Sequence, residues 1–274
     1  MISENIFTNI NPASLNGEEY ELVYRKPCTL VDVAMHYCPG CAHGVVNKLI
    51  MEVVEEMNIQ EQTIGVASVG CSVFAYEYMD IDMQQAAHGR ACAVATGIKR
   101  LLPDKYVFTY QGDGDLAAIG IAETLHAINR GENILIVFIN NAVYGMTSGQ
   151  MAPTTLAGMQ TTTTPGGRDV NFYGTPIRVA ELVAQLPGAF YVTRHVVNSA
   201  NGVRRTKKAL QKAFAYQQLK KGTCLVEILG NCPSNWKMTP VESNEFIDEK
   251  MVKTFPLGDI KVPKLEDQQI PSSS

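Results

Sequence analysis

The sequence predicts an α/β fold built on a mostly parallel, doubly wound sheet. Short apolar runs alternate along the chain with segments of helical periodicity, and this alternation is typical of successive β–α–β units. Two of the apolar runs stop abruptly at polar turns, 111–115 and 140–141. In an open parallel sheet the carboxyl ends of neighbouring strands form the ligand-binding edge, so we expect both turns to lie there.

The elements follow in chain order from periodicity and turn residues. Apolar periodicity or clustered small residues predict helices over 45–57, 91–102, 116–130, 177–185 and 202–219. Compact apolar runs predict strands over 63–69, 106–110, 134–139, 189–193 and 223–229.

We expect three parts along the chain: an N-terminal arm (1–30), an α/β domain (31–236) and a C-terminal extension (237–274). The arm shows no clear period. After Trp236 the chain becomes charged and loses periodicity, and its serine-rich end is predicted to be a mobile tail. Segment 147–169 is rich in threonine and glycine, and loops of this length inside a domain are usually functional.

Composition excludes several classes of function. A hydrophobic content of 46% with 18% charged residues is typical of a globular protein with a substantial core. The net charge of -4 gives no electrostatic footprint for nucleic acid. No apolar run is long enough to cross a membrane, and the N-terminus lacks the basic and apolar regions of a signal peptide. We therefore predict a cytoplasmic protein that binds neither nucleic acid nor a membrane.

The turn 111–115 has the chemistry of a Mg²⁺-diphosphate site. Gly112 and Gly114 let the backbone approach a phosphate, and the helix that follows directs free N–H groups toward it. Asp113 is a hard oxygen donor that suits Mg²⁺, and the amide of Asn141 is a neutral ligand for the same ion. Both turns also have an ordinary interpretation, because Gly-Asp-Gly and Asn-Asn favour turns anywhere. Their spacing of one β–α–β unit favours the functional interpretation, although the Walker and dinucleotide motifs are absent.

Seven cysteines leave metal ligation, thiol chemistry and core packing open, because an odd number in a reducing compartment argues against a disulfide framework. Cys38 and Cys41 have a chelating spacing. Cys71 and Cys232 each follow the carboxyl end of a predicted strand, so we expect four thiolates to converge on one sheet edge. Such a set suits a [4Fe–4S] cluster or a structural zinc ion, and spacing does not decide between them.

Other cysteines and histidines give weaker indications. We expect Cys92 and Cys224 to be buried structural residues. His43 follows the cysteine pair and either shields a metal cluster or caps the helix behind it. His88 opens a His-Gly-Arg sequence at a helix start and is a plausible anion contact. No Ser-His-Asp or Cys-His catalytic arrangement can be assembled.

Together these motifs resemble the β subunit of a 2-oxoacid:ferredoxin oxidoreductase. The resemblance covers roughly residues 26–236 and rests on several separated motifs in the same order. The Gly-Asp-Gly turn followed by Asn-Asn is similar to the thiamine diphosphate signature. More specific are Tyr37-Cys38-Pro39-Gly40-Cys41, Val69-Gly70-Cys71-Ser72, His88-Gly89-Arg90 and Val143-Tyr144-Gly145-Met146-Thr147-Ser148-Gly149-Gln150.

The resemblance implies a thiamine diphosphate-binding fold and assigns roles to particular residues. Mg²⁺ would be held by Asp113, by the side chain of Asn141 and by the backbone carbonyl of Val143. The four ligands of the [4Fe–4S] cluster would be Cys38, Cys41, Cys71 and Cys232. The residues expected to contact thiamine diphosphate are Val69, Gly70, Cys71, Ser72, His88, Gly112, Gly114, Asp115, Gly145, Met146 and Thr147.

The implied activity is oxidative decarboxylation of a 2-oxoacid to acyl-CoA and CO2, with coenzyme A as co-substrate and electrons passing through the cluster to ferredoxin. A redox cluster beside thiamine diphosphate is chemically reasonable and redox-inert zinc is not, so the resemblance favours the cluster. The residues of these motifs most resemble the branched-chain (2-oxoisovalerate) type of the family, with the 2-oxoglutarate type a close second.

The resemblance also implies partner subunits, because the chain carries only the diphosphate-binding half of a thiamine enzyme. An alpha subunit with the pyrimidine-binding domain would supply the activating glutamate. Gamma and ferredoxin-like delta subunits are further expected partners, with ferredoxin as the electron acceptor. Two alternatives stay open: a non-redox thiamine-dependent decarboxylase or synthase subunit, and a zinc-stabilised scaffold protein.

Overall fold

In a computed structural model, which describes residues 24–264, seven strands form one sheet. These strands are β1 (Thr63–Ala67), β2 (Asp82–Gln85), β3 (Tyr106–Gly112), β4 (Leu135–Asn140), β7 (Ala189–Val196), β8 (Thr223–Leu229) and β9 (Gly258–Lys261). A separate two-stranded ladder joins β5 (Val143–Tyr144) and β6 (Gln150–Met151). The sheet order is β2-β1-β3-β4-β8-β7-β9, and every neighbouring pair is parallel except β7 and β9.

Ten α-helical segments lie in the described residues. They are α1 (Ala42–Glu56), α2 (Ala75–Tyr78), α3 (Ala91–Leu101), α4 (Ile121–Asn129), α5 (Val170–Tyr173), α6 (Val179–Ala184), α7 (Ala200–Gln217), α8 (Pro233–Trp236), α9 (Pro240–Phe246) and α10 (Val252–Thr254). Short π-helical turns occupy Gly114–Ile119 and Ile247–Met251. None of the helices within residues 24–264 is long and apolar enough to cross a membrane.

Helices cover both faces of the sheet. On β4, Val137 and Ile139 belong to the core beneath α1 and α7, whereas Ile136 and Phe138 belong to the core beneath α3, α4 and α6. Successive side chains of a strand point to opposite faces, so a strand buried on both sides is apolar throughout. The predicted doubly wound, mostly parallel sheet is therefore confirmed. Cys92 on α3 and Cys224 on β8 are fully buried, as expected.

The helix predicted over 116–130 is interrupted, because the chain first makes the π-helical turn and then bends at Gly120 before α4. Gly120 N donates to Asp115 O, five residues earlier. A Cβ at Gly120 would lie 2.6 Å from Gly89 O, so the interruption allows two backbones to touch. Local periodicity does not reveal this contact, because Gly89 belongs to another segment.

Strand β2 was not predicted, because it is a short edge strand with polar, mostly exposed side chains. The chain after Trp236 also has more regular structure than its lack of periodicity suggests. A capping box of Thr239 and Glu242 starts α9, and β9 adds an antiparallel strand at the far sheet edge. Most of the predicted arm and the serine-rich tail lie outside the described residues. The three-part division of the chain remains a prediction.

Candidate functional site

One pocket lies at the carboxyl ends of β1, β3 and β4 and contains most of the residues singled out from the sequence. Its lining consists of His43, Val69, Gly70, Cys71, His88, Gly112, Asp113, Gly114, Asp115, Asn141, Val143, Tyr144, Gly145, Met146 and Thr147. His43 and Tyr144 were not on the list of expected contacts. Ser72 does not line the pocket, because its buried hydroxyl donates to Ser68 O at 3.1 Å.

Asp113 is an enclosed carboxylate at the end of β3. It accepts hydrogen bonds from Gly114 N (2.8 Å) and from Thr154 Oγ1 (2.7 Å), and no basic side chain within residues 24–264 pairs with it. Burial raises the pKa of Asp113 to about 7, although both hydrogen bonds oppose the shift. A desolvated carboxylate without a cationic partner is suited to a divalent cation.

In the second turn, Asn141 and Val143 are separated by Ala142, which adopts the left-handed backbone conformation. Ala142 has φ +61°, which is uncommon for a residue with a side chain. Asn140 Oδ1 accepts from Ala142 N (3.3 Å), and Thr155 Oγ1 donates to Ala142 O (2.5 Å). These bonds hold the strained turn, and Asn141 and Val143 on either side of Ala142 line the same pocket as Asp113.

The backbone at this edge has the open shape that a diphosphate-binding surface needs. A Cβ at Gly112 or Gly70 would meet nothing within 4 Å, so both glycines border open space in the pocket. A Cβ at Gly114 would lie 2.3 Å from the ring of Tyr144, so this position excludes other residues. Gly114 begins a turn in which its own N–H donates to the Asp113 side chain, and the N–H groups that follow at the start of the turn are a favourable anion contact. The residues present therefore fit a Mg²⁺-bound diphosphate.

Asp115 has a role that sequence reasoning did not find, because its side chain connects three segments. Its carboxylate accepts from Ser68 Oγ (2.7 Å), His88 Nδ1 (2.6 Å), Gly89 N (2.6 Å) and Gln111 Nε2 (2.6 Å). It thus fixes the end of β1 and the start of α3 against β3. From the sequence, Asp115 was expected only as a contact of thiamine diphosphate.

Three of the four predicted cluster ligands are partly or fully buried beside the pocket, and Cys38 is exposed. A Cβ at Gly145 would lie 3.3 Å from Cys71 Sγ and 3.6 Å from Cys232 Sγ, so these two thiols face the same glycine. Burial, with a contribution from neighbouring thiols, raises the pKa of Cys41 to about 11 and that of Cys71 to about 12; the thiols that contribute are Cys38 and Cys232 for both, and Cys41 for Cys71. Cys71 and Cys232 therefore lie close together, and Cys38 and Cys41 are near enough to influence the titration of Cys71.

These thiols do not form a closed coordination set. Within the described residues, no three Cys, His, Asp or Glu side chains are arranged to hold a single metal ion. Asn235 Nδ2 donates to Cys232 Sγ (3.2 Å), and Cys41 Sγ lies 3.8 Å from Asn231 O. The assignment of Cys38, Cys41, Cys71 and Cys232 to a cluster remains a prediction.

His43 is enclosed and does not cap α1, which has no side-chain cap. Its Nδ1 lies 2.6 Å from the hydroxyl of Tyr110, and its ring stacks on Tyr37. Burial lowers the pKa of His43 to about 3, so the ring is neutral.

The loop after the second turn was predicted to be functional as a whole, without particular residues. The structure shows which of its residues hold the site. Thr154 donates to Asp113 in the first turn, and Thr155 donates to Ala142 O in the second. Arg168 holds the loop in place. The Arg168 guanidinium donates to six backbone carbonyls, those of Ala152, Pro153, Thr155, Tyr173, Gly174 and Thr175. The loop's position after Asn140-Asn141 was the signal for its function, and nothing in its composition identified these three residues.

Comparison with known proteins agrees with this geometry. The family described as "Thiamine pyrophosphate enzyme, C-terminal TPP binding domain" matches residues 68–228. The chain is 43% identical to "Ketoisovalerate oxidoreductase subunit VorA" of Methanothermobacter thermautotrophicus over 90% of this chain and 54% of that relative. It is 36% identical to "2-oxoglutarate synthase subunit KorB" of Methanocaldococcus jannaschii, over 79% of this chain and 78% of the relative.

Among solved structures, a 2-oxoglutarate:ferredoxin oxidoreductase from Magnetococcus marinus, with 2-oxoglutarate, coenzyme A and succinyl-CoA bound, superposes with a TM-score of 0.69. It is 26% identical, and the match covers 84% of this chain and 75% of that chain. The chain spans about half the length of the VorA relatives it matches. On this evidence the chain belongs to the thiamine pyrophosphate enzyme family, among the β-type subunits of 2-oxoacid:ferredoxin oxidoreductases.

Proposed function

We propose that this chain is the thiamine diphosphate-binding subunit of an enzyme that converts a 2-oxoacid and coenzyme A to acyl-CoA and CO2 and passes the electrons to ferredoxin. The observation that carries the proposal is Asp113, an enclosed carboxylate without a basic partner in the described residues, in a pocket that also contains the thiol of Cys71. This combination supports a cation-bound diphosphate beside a redox site.

Mg²⁺ would be held by the carboxylate of Asp113, the amide oxygen of Asn141 and the carbonyl of Val143. Thr154 and the hydrogen bonds around Ala142 keep the first two groups oriented. Thiamine diphosphate, when bound, supplies the carbon nucleophile and electron sink that decarboxylation of a 2-oxoacid needs. The chain itself orients the diphosphate through Gly112, Gly114 and the turn that follows.

A [4Fe–4S] cluster would be held by Cys38, Cys41, Cys71 and Cys232. The support is the proximity of the four thiols and the position of Cys71, which lines the cofactor pocket. Thiol ligands must lose their protons to bind, and the raised pKa values of Cys41 and Cys71 mean that binding would release protons. Iron and zinc analysis of anaerobically purified protein tests this step, and zinc without iron would contradict it.

We favour a branched-chain 2-oxoacid such as 2-oxoisovalerate, with 2-oxoglutarate second. The VorA relatives are 43% and 44% identical, whereas the KorB relative described above is 36% identical. In the described part of the chain, the pocket lining includes no lysine or arginine that could pair with the second carboxylate of 2-oxoglutarate.

Partner subunits would complete the site. We propose an alpha subunit that carries the pyrimidine-binding domain and the activating glutamate, with gamma and ferredoxin-like delta subunits as further candidates. A cytoplasmic location is part of the proposal, because a reducing compartment keeps the cysteines available as thiols.

The deciding experiment is anaerobic co-purification with partner subunits, followed by coenzyme A-dependent dye reduction across 2-oxoacids. We expect the highest kcat/KM for 2-oxoisovalerate. High activity on pyruvate with low activity on branched-chain acids and 2-oxoglutarate would contradict the substrate assignment. Absence of coenzyme A-dependent reduction with every 2-oxoacid would contradict the function itself.

A further inference from the structure

Two imidazoles line the cofactor pocket, and different partners hold their Nδ1 atoms. His43 Nδ1 lies 2.6 Å from the Tyr110 hydroxyl, and His88 Nδ1 lies 2.6 Å from Asp115 Oδ1. In a neutral imidazole one nitrogen carries the proton and the other accepts. The partner of Nδ1 therefore decides whether Nε2 is a donor or an acceptor.

Hydrogen bonds around Tyr110 determine where His43 carries its proton. The Asn47 amide nitrogen donates to His43 O (2.9 Å) and lies 3.2 Å from the Tyr110 hydroxyl, so it presents a donor to Tyr110. Among residues 24–264, His43 Nδ1 is then the hydrogen-bond partner left to accept the Tyr110 hydroxyl proton. Tyr110 donates to Nδ1, which leaves the imidazole proton on Nε2.

This Nε2 proton is available to a ligand. His43 is only 2% exposed and lines the pocket, and its Nε2 has no partner in the described residues. The buried side-chain atoms that lack a hydrogen-bond partner and solvent contact do not include His43 Nε2. An enclosed donor that is unpaired in the protein favours a ligand that accepts its hydrogen bond.

His88 has the opposite arrangement. Oδ1 of Asp115 accepts from Ser68 Oγ and Gly89 N as well, and a carboxylate oxygen cannot donate. His88 Nδ1 is therefore the donor to Asp115, so its partner is an acceptor, whereas the partner of His43 Nδ1 is a donor. The two imidazoles of the pocket are thus held in opposite hydrogen-bond arrangements.

We propose that His43 is a catalytic residue whose Nε2–H donates a hydrogen bond to the carbonyl oxygen of the 2-oxoacid. The inference rests on the function proposed above. That oxygen gains negative charge when its carbon is attacked, and a donor fixed in an enclosed pocket stabilises such charge without rearrangement. Tyr110 does not line the pocket, and it acts as a positioning residue that keeps the His43 proton on Nε2.

The test is the infrared band of the substrate carbonyl. Carbon-13-labelled 2-oxoisovalerate is bound to the assembled enzyme, loaded with an unreactive thiamine diphosphate analogue. We expect the carbonyl band of the wild type to lie at lower frequency than that of His43→Phe, because a hydrogen bond weakens the C=O bond. Tyr110→Phe should give an intermediate band. In turnover with the normal cofactor, kcat should fall roughly 100-fold in His43→Phe and about 10-fold in Tyr110→Phe.

Tyr78→Phe is the matched control. Tyr78 also places its hydroxyl against a histidine Nδ1, that of His36 at 2.7 Å, and neither residue lines the pocket. This variant should keep the wild-type carbonyl band and kcat. If His43→Phe fails to fold, the two tyrosine variants decide, and identical bands in both would overturn the inference.

The outcomes also separate this inference from the proposed function. A wild-type carbonyl band in folded His43→Phe that still turns over a 2-oxoacid would refute the role of His43 and leave the function intact. A wild-type enzyme that neither binds nor turns over any 2-oxoacid would overturn both.

Discussion

Asp113 and Asn141 lie at neighbouring strand ends, but their surroundings differ. Asp113 is enclosed, and its hydrogen-bond partners in residues 24–264 are a threonine hydroxyl and backbone N–H groups, none of which carries a full positive charge. Burial therefore raises its pKa to about 7 and leaves the charged form poorly stabilised in the free protein. A divalent cation would supply the missing charge.

This environment predicts a pH-dependent effect of Asp113→Asn on stability. The folded-state pKa of about 7 lies above the ordinary 3.8, so the folded state binds the Asp113 proton more tightly. The resulting stability is full below pH 4 and is lost as pH rises through 7. Relative to wild type, the free energy of unfolding of metal-free Asp113→Asn should therefore increase by up to roughly 1.4 kcal/mol per pH unit between pH 5 and 7.

The measurement is chemical denaturation of both proteins from pH 5 to pH 8. Adding Mg²⁺ and thiamine diphosphate should stabilise the wild type more at pH 8 than at pH 6, and should stabilise Asp113→Asn at neither pH. A constant stability difference across this range would show that the carboxylate is not destabilised by burial.

At the scale of elements, close backbone contacts align the segments around the pocket. The bend at Gly120 touches Gly89, next to His88, and the Arg168 guanidinium fixes the loop that carries Thr154. The first contact joins two separate segments of the chain, and the second closes the loop on itself. The positions of the pocket side chains therefore depend on these contacts as well as on the sheet.

Gly120→Ala tests the contact between the bend and Gly89. The added Cβ would lie 2.6 Å from Gly89 O, so one backbone must move, and we expect the free energy of unfolding to fall by about 2 kcal/mol. The movement should displace His88 and reduce the thermal stabilisation by Mg²⁺ and thiamine diphosphate. Thermal unfolding with and without these ligands measures both effects.

Gly97→Ala makes the same chemical change in α3, where a Cβ meets nothing within 4 Å. It should stabilise the protein by up to about 1 kcal/mol and leave ligand stabilisation unchanged. Equal effects of the two substitutions would mean that the contact with Gly89 does not position the pocket.

At the scale of the whole molecule, a buried polar network crosses the sheet to the second turn. Arg194 on β7 donates to Glu227 on β8 (2.8 Å) and to Glu181 on α6, and Glu227 accepts from Asn140 on β4 (2.7 Å). Arg194 and Glu227 are both fully buried. The network therefore connects α6 and β7 with Asn140, whose side chain accepts a hydrogen bond from the Ala142 N–H of the second turn.

Arg194→Met should lower the free energy of unfolding by about 3–5 kcal/mol, because it leaves the buried Glu227 charge without its partner. The double variant Arg194→Met/Glu227→Leu should recover much of this loss. It should still be stabilised less than wild type by Mg²⁺ and thiamine diphosphate, because Asn140 has lost its acceptor. Chemical denaturation with and without ligand separates the two quantities.

Arg130→Met is the matched control, since Arg130 pairs with Glu132 but is 44% exposed at the side chain. Its effect should stay within about 1 kcal/mol. A double variant no more stable than Arg194→Met alone would contradict the proposed burial penalty.

Local sequence patterns were enough to predict the doubly wound sheet and the meeting of the two polar turns at one edge. Strands buried on both faces give continuous apolar runs, and parallel topology brings their carboxyl ends together whatever the details of packing. The same rule brought Cys71 and Cys232 together beside Gly145. These features follow from local patterns and a general rule of topology.

The hydrogen bonds that hold the pocket side chains could not be predicted from these patterns and depend on tertiary packing. Thr154 reaches Asp113 across 41 residues, Asp115 joins three segments through its carboxylate, and Tyr110 decides the tautomer of His43. Hydrogen bonds between distant residues leave no periodicity in the sequence, so they appear only when the chain is folded. The sequence therefore located the pocket, and packing between distant segments determined its donors, acceptors and charge.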